Sequence, residues 1–342
     1  MQKKLLTMAV AGALAAPVAA FAQVTLYGSI DTGIKNQSKL FTGVGTNTGS
    51  KMSVDPQIKK SNRWGLKSSD DLGGGLMANF NLEGGFNSDN GTGLSTGGGL
   101  DFARRAVLGF SKGGNNVDLG REYTLNFKTQ GIYDPLSHDY GSAAGIQGGV
   151  GTAGTRTSDS ITAGFRFGTG GVAVQYGMGE QVDDNGSGSY KAINGDMTFG
   201  PVTVGAAWGS REAVAPLMTD TTTINVGGAY KMGAFTFRLG LPTEEIDTGN
   251  ESTKISGGVQ YDFSPTLTGR VSLYDLTVDN SGGAEIGSAR TAVVNVVYSL
   301  SKRTLVYVVF DRKTLEGNQL TGAAGTPDDG ATGIAAGITH VF

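Results

Sequence analysis

Two histidines, His138 and His340, and no cysteine stand among the 342 residues. An imidazole and thiolate site for zinc or iron therefore has too few ligands to assemble. The serines gain nothing from this set, since two histidines leave a hydrolytic triad little to draw on. Gly73-Gly74-Gly75 reads as a turn, because no G-K-[ST] follows it. Asp70-Asp71 and Asp183-Asp184-Asn185-Gly186 have the composition of calcium loops without the twelve-residue spacing. The sequence thus argues against an enzyme, a metal centre or a bound cofactor. What remains is fixed charge. Arg166 stands between Phe165 and Phe167, Arg238 between Phe237 and Leu239, and Arg270 between Gly269 and Val271. An arginine on a lipid face costs about 2–4 kcal/mol at the membrane midplane, so these three are expected to face a polar lumen. Arg63 alternates away from Trp64 and Leu66 in the same sense.

Such arginines need strands to hold them. Alternation at period two recurs along the chain in segments of about ten residues, the length of a tilted strand that crosses a bilayer. Leu76, Ala78, Phe80, Leu82 and Phe86 fall on one face, and Met77, Asn79, Asn81 and Glu83 on the other. Counting such segments predicts strands near 23–35, 58–68, 75–86, 101–112, 115–122, 157–168, 170–180, 190–200, 201–210, 220–231, 233–241, 251–262, 265–276, 288–299, 303–313 and 331–342. Short connections, as at Gly200-Pro201 or Lys231 to Gly233, alternate with longer Gly-rich ones near 36–57, 87–100, 123–156, 181–189, 211–219, 242–250, 277–287 and 314–330. That alternation predicts an all-β, sixteen-stranded antiparallel transmembrane barrel with short periplasmic turns and long extracellular loops. Inside hydrocarbon every backbone donor and acceptor needs a partner, so the first and last strands must pair.

Residues 1–22 carry Lys3 and Lys4, the apolar run Leu5 to Ala20 and the small-x-small triplet Ala20-Phe21-Ala22. They are expected to be a signal peptide, cut to leave Gln23 as the first residue of one barrel domain, 23–342. Gly12 and Pro17 interrupt the run, which falls short of the roughly 20 residues a spanning helix prefers. The chain holds 57 glycines and has a formal charge of −3. Losing Lys3 and Lys4 takes the charge to −5, and nothing basic overall invites nucleic acid.

The chain resembles the trimeric general porins of beta-proteobacteria, the Neisseria and Burkholderia-like Gram-negative porin family. The resemblance begins at Val24-Thr25-Leu26-Tyr27-Gly28-Ser29-Ile30-Asp31-Thr32-Gly33 and continues through Asn62-Arg63-Trp64-Gly65-Leu66-Lys67, Asp71-Leu72-Gly73-Gly74-Gly75-Leu76 and Leu82-Glu83-Gly84-Gly85-Phe86. Phe102-Ala103-Arg104-Arg105-Ala106-Val107-Leu108-Gly109-Phe110 and Leu119-Gly120-Arg121-Glu122-Tyr123 follow, and Ile338-Thr339-His340-Val341-Phe342 closes the chain. It implies a homotrimer in outer-membrane lipid and lipopolysaccharide, and a third loop folded into the lumen. It also implies passive diffusion of ions and small hydrophilic solutes, and a terminal Phe342 read by the outer-membrane assembly machinery.

The resemblance carries Arg63, Arg104 and Arg121 over as basic residues of the constriction wall; alternation leaves open whether Arg104 or Arg105 faces inward. The third long connection, from Tyr123 to Arg156, offers Asp134 and Asp139, with Glu122 at its root. Basic wall and acidic loop would set up a transverse field across a small gap. Asp31 and Glu83 lie on polar strand faces and add lumen carboxylates. Glu122 stands where the family has Gln, and 141–156 is small in side-chain volume, so the shape of the gap does not follow from the resemblance. Wall arginines argue for anions and loop carboxylates for cations; three against two favours a modest anion preference. A barrel serving as adhesin or scaffold is the alternative, and it needs neither a basic wall nor an infolded loop.

Overall fold

The computed structural model describes residues 24–38, 49–93, 101–139, 154–179, 186–214, 219–316 and 328–342. The expected signal peptide, Gln23 and residues 141–153 lie outside them. The strands are β1 (Thr25–Ser38), β2 (Ser50–Pro56), β3 (Arg63–Asp71), β4 (Met77–Gly85), β5 (Arg105–Lys112) and β6 (Asn115–Tyr123). A helix, α1 (Leu125–Tyr133), precedes β7 (Arg156–Phe167), β8 (Gly170–Gly177), β9 (Tyr190–Phe199), β10 (Val202–Arg211) and β11 (Thr221–Met232). The chain ends with β12 (Phe235–Ile246), β13 (Glu251–Ser264), β14 (Leu267–Asp279), β15 (Glu285–Ser299), β16 (Thr304–Glu316) and β17 (Asp328–Val341).

These strands form one antiparallel sheet that closes on itself where β1 pairs with β17, from Ser29 opposite Val341 to Gln37 opposite Gly333. The last residue completes the seam: Phe342 N–H donates to Gly28 O at 3.1 Å, and Gly28 N–H to Phe342 O at 3.0 Å. A Cβ on Gly28 would come within 2.4 Å of the Phe342 ring, so only glycine lets the terminal aromatic lie against the first strand.

Alternation sorts the side chains. On β15, Thr291, Val293 and Asn295 are buried inside while Val294 and Val296 are exposed on the outside. Apolar groups that would be a liability in water are here the face turned to hydrocarbon. Near the short turns the outer surface becomes aromatic, with Phe235 and Tyr261 at 4.5 Å and Tyr261 and Phe263 at 4.7 Å between ring centres. That is the girdle expected at a membrane interface.

The second strand departs from expectation. A continuous strand over 58–68 is predicted, with 36–57 as a loop. Instead β2 pairs with the outer half of β1 and β3 with its inner half, so two segments share one of the sixteen strand positions. Met52 and Val54 face outward and belong to the lipid face, a signal too short to stand out among the polar residues around it. Between the segments the chain turns inward. Pro56 has no N–H to give to a ladder, and backbone and side-chain groups of 57–62 bond instead to Asp31 of β1. Gln57 N–H reaches Asp31 O at 3.0 Å, Lys59 N–H reaches Asp31 Oδ1 at 2.9 Å, and Asn62 Oδ1 accepts from Asp31 N–H at 2.5 Å. Asp31, wholly buried, also takes the hydroxyls of Tyr307 at 3.0 Å and Thr339 at 2.5 Å. At the other rim, β12 to β15 extend further than expected, and the connections there shrink to 247–250 and 280–284. Thr243 and Glu244 pair with Thr253 and Ser252, which continues the ladder past Pro242.

If the long connections face outward, a membrane-impermeant thiol reagent applied to intact cells labels Thr248→Cys and Gly282→Cys and leaves Ala234→Cys and Lys302→Cys unlabelled. Equal labelling of the two pairs would reverse the orientation.

Candidate functional site

The long connection after β6 runs inside the barrel. Thr124 caps helix α1, its hydroxyl accepting from Phe127 N–H at 3.3 Å and donating to Gly154 O at 2.7 Å. The cap therefore also ties the start of the loop to its end. The helix lies against the inner faces of β8 to β12. Its wall side is polar: Asn126 Oδ1 accepts from Tyr190 Oη at 2.8 Å, and Thr129 Oγ1 from Asn194 Nδ2 at 3.0 Å. Sequence reasoning missed this helix because its buried positions, Leu125, Asn126, Thr129, Gln130 and Tyr133, keep helical spacing but are mostly not apolar. Gly227 of β11 makes the seat; a Cβ there would come within 2.4 Å of Tyr133 Cβ. Burial pushes the Tyr133 hydroxyl up to about 12.

Beyond the helix the chain follows the wall. Asp134 Oδ1 accepts from Tyr274 Oη at 2.8 Å and from Leu136 N–H at 2.7 Å. Leu136 then enters an apolar patch of Ile58, Tyr274, Val293, Tyr307 and Val309. Lys59 Nζ meets Asp139 Oδ2 at 2.7 Å. The inturned 57–62 segment thus supplies both an apolar and an ionic contact for the far end of the loop. His138 stacks on Phe127 with ring centres 4.2 Å apart, and burial holds its pKa below the ordinary imidazole range. Burial likewise lowers Lys128 on the helix, against the opposing pull of Glu122.

The basic wall gathers around Glu83. Its Oε1 accepts from Arg104 Nε at 2.8 Å and lies 3.7 Å from Arg63 Nη1, and its Oε2 accepts from Tyr27 Oη at 3.1 Å. Tyr123 Oη accepts from Arg104 Nη2 at 2.8 Å and from Arg156 Nη2 at 3.2 Å. Arg156 lies over the Tyr123 ring at 4.6 Å, and Arg211 over Tyr190 at 5.0 Å. Glu122 is paired with Arg105 and lies 3.6 Å from Lys128 Nζ.

Both members of the Arg104 and Arg105 pair reach inward. Glu83 stands opposite Arg105 in the ladder, while its carbonyl also accepts Arg104 N–H at 3.1 Å. Two residues then face one, as in a β-bulge, and strict alternation stops applying. Arg121 is placed differently. It stands opposite Ala106, on the side of the sheet that carries Leu108, Phe110 and Leu119, and its guanidinium bonds Ala103 O at 2.6 Å and Ser158 Oγ at 2.7 Å. Asp134 and Asp139 find their partners in Tyr274 and Lys59, not in the arginines. Arg166 pairs with Asp196 at 3.0 Å, and Arg270 stands opposite Asn295 and donates to Gln260 Oε1 at 2.8 Å. Arg238 lies opposite Gly258 on the inner side of β12. Lys59, Tyr123, Lys128, Arg156 and Arg211 were not foreseen as site residues. Arg211 had a signal, since it shares parity with Ala207 and Gly209 against Trp208; Lys59 had none, because the inward turn is made by Asp31. Among the described residues no three side chains form a metal-ligand group.

Residues 7–318 match the model of a family described as Gram-negative porin. An outer membrane porin protein of Bordetella pertussis is 35% identical over 186 residues, which take in 50% of this chain and 48% of the relative. The chain is similar over 92% of its length to outer membrane porin protein 32 of Delftia acidovorans, at 28% identity and 82% of that protein. In structure it resembles an anion-selective porin from Comamonas acidovorans, with a TM-score of 0.80 over 94% of this chain and all of that one, at 22% identity.

Replacing Gly227 with leucine forces Tyr133 off its seat, an overpacking cost of about 1–3 kcal/mol. Single-channel recording of Gly227→Leu is expected to give an altered conductance with barrel yield unchanged. A wild-type conductance would mean that the helix does not bound the conducting path.

Proposed function

The chain belongs to the Gram-negative porin family, an outer-membrane β-barrel, and from that premise we propose that it is a passive diffusion channel for ions and small hydrophilic solutes with a preference for anions. The observation that carries the preference is which charges meet the lumen. The side chains of Glu83, Glu122 and Asp134 are 3–8% exposed, whereas Arg63, Arg105 and Lys128, paired with the two glutamates, are 24%, 28% and 37% exposed. A passing solute meets cationic heads with the carboxylates behind them. Asp139 at 25%, Asp55 at 27% and Asp196 at 30%, beside Lys59, Lys35 and Arg166, are exceptions. Arg156 and Arg211 continue the basic surface along Tyr123 and Tyr190, Arg104 lies behind it at 8% exposure, and Arg166, Arg238 and Arg270 line the wall elsewhere. Fixed charges of this kind sort ions without trapping them, because Arg63, Arg105 and Lys128 are already engaged by protein carboxylates.

In this reading the chain is exported by residues 1–22, reaches the assembly machinery through Phe342, and forms a homotrimer. Support for the trimer comes from the outer face near the seam. There Leu26, Ile34, Ile334 and Ile338 are exposed around Gly33, Ala336 and Gly337, and a groove of about 640 Å³ runs across β15 to β17 and β1 to β2. A detergent-corrected mass of one barrel per particle would refute the trimer.

Selectivity tests the function itself. Reversal potential across a salt gradient is expected to favour chloride over potassium. Unit charges 4 Å apart in water interact by about 1 kcal/mol, a factor of about five in local concentration. Arg63→Ser and Arg104→Ser should each shift the permeability ratio toward cations by up to about that factor. The shift should shrink at high salt, where exposed charges are screened within a few ångströms. Arg166→Ser should shift it less, because its partner Asp196 is itself 30% exposed and already offsets the charge that a solute meets there. If Arg63→Ser and Arg104→Ser both leave the ratio unmoved, the selectivity filter lies elsewhere.

A further inference from the structure

Below the Glu83 cluster, toward the short turns, the inner face of β1 and β3 to β6 holds a recess of about 540 Å³. Two rows of the ladder line it. In the upper row Thr25 stands opposite Lys67, Lys67 opposite Asn81, and Asn81 opposite Val107, which is buried and gives the recess an apolar floor. In the lower row Ser69 stands opposite Asn79, Asn79 opposite Gly109, and Gly109 opposite Asp118. A Cβ on Gly109 would collide with Asp118 Oδ1, so the missing side chain lets that carboxylate lean over β5. Arg105 closes the upper edge.

The hydrogen bonds these groups leave unmade decide the ligand. Asn79 is fully occupied, accepting from Ser69 Oγ at 2.7 Å and donating to Ser111 Oγ at 2.9 Å. Asn81 accepts from Tyr27 Oη at 2.8 Å and keeps its Nδ2 donor. Among the described residues Lys67 has neither an ion pair nor a hydrogen bond, and its ammonium lies 5.1 Å from the centre of the Tyr27 ring. Arg105, paired with Glu122, keeps a buried Nε without an acceptor. Across the recess Asp118 Oδ2 accepts from Asn116 Nδ2 at 2.5 Å, which leaves Oδ1 to accept. Donors and an unanswered positive charge therefore face an acceptor across β4 and β5. The backbones of β3 and β6 stand three strand spacings apart, about 14 Å. An inorganic anion or a short carboxylate fills the cationic end alone. A neutral sugar leaves the charge of Lys67 unanswered, and an α-amino acid brings a second ammonium beside it, where like charges repel. A hydroxylated carboxylate answers both ends, because the few polar groups of a pocket read hydroxyls by direction.

We propose that this recess is a binding site for sugar acids, with the carboxylate between Lys67 Nζ and Asn81 Nδ2 and the hydroxyls reaching Asp118 Oδ1. The site rests on the channel reading above and gives it a solute class. It lies one step beyond the eyelet, so a hydroxylated anion that has passed the arginines pauses there before it leaves the pore.

The test is single-channel recording in potassium chloride while D-glucuronate is titrated in, with acetate and D-glucose run beside it. Glucuronate is expected to lower the chloride current of the wild type along a saturating curve, and acetate and glucose to give no such curve. Lys67→Gln and Asn81→Asp should each raise the half-blocking concentration of glucuronate about tenfold or more, the scale of one lost charge-assisted hydrogen bond. Asp118→Ser should raise it as well, through the hydroxyl end. All three variants keep a polar side chain on a wet wall, so folded yield should match wild type. A glucuronate curve that does not saturate would overturn the proposal. Equal block by acetate would reduce the site to a cationic patch, and equal block by glucose would make it a neutral sugar site; either result overturns the proposal. An unchanged half-blocking concentration in both Lys67→Gln and Asn81→Asp would put the block elsewhere, and an unchanged one in Asp118→Ser would remove the hydroxyl end and with it the solute class. Conductance and reversal potential of the wild type before glucuronate is added test the channel reading by themselves, so the two failures are distinguishable.

Discussion

The structure depends on one constraint: a backbone amide in hydrocarbon has no water to turn to. A sheet in that setting cannot keep an edge, so β1 must find β17, and the terminal Phe342 must complete the ladder at Gly28. Closure fixes a circumference, and the alternation of the strands then decides everything else. One parity must satisfy lipid and the other must satisfy a wet interior, which is why a chain with modest overall hydropathy carries so many exposed Val, Leu, Ile and Phe side chains.

Closure also turns the inner wall into a scaffold for charge. Glu83, Glu122, Asp31 and Asp134 are all nearly inaccessible, and each is held by donors from several strands or from the inner loop. Removing one partner from such a set strands the other, a cost of several kcal/mol for a buried pair. Arrangements of this kind are rigid, and rigidity keeps the exposed cations Arg63 and Arg105 at fixed positions. Aromatic groups add to this: Tyr123 and Tyr190 support Arg156 and Arg211 on their faces, a role open to arginine more than lysine.

Much of this was legible in the sequence, because a membrane barrel writes its fold into period two. The sixteen strand positions, the short turns and the inward face of Arg270 follow from parity alone. What was hidden is where parity breaks. At Arg104 and Arg105 a bulge opposite Glu83 brings both residues inside. At 57–62 the ladder is replaced by bonds to Asp31, from a distant position on β1. Around Arg121 the reverse occurs, and the ladder keeps the residue on the face of Leu108. Helix α1 escaped notice for a related reason: it packs on a polar wall, so its buried side is written in Asn, Thr and Gln. Patterns of hydrophobicity report contact with lipid or an oily core, and they fall silent where a protein packs polar surface on polar surface.

Asp31 has a consequence for time as well as for shape. Its carboxylate takes hydroxyls from Tyr307 and Thr339, on the last two strands, and with its other contacts sets the turn that offers Lys59 and Ile58 to the inner loop. Those partners come together only after the two ends of the chain have met. The far end of the loop therefore has its full anchorage only in the closed barrel. The complete seat of the inner loop is thus a consequence of closure at the seam.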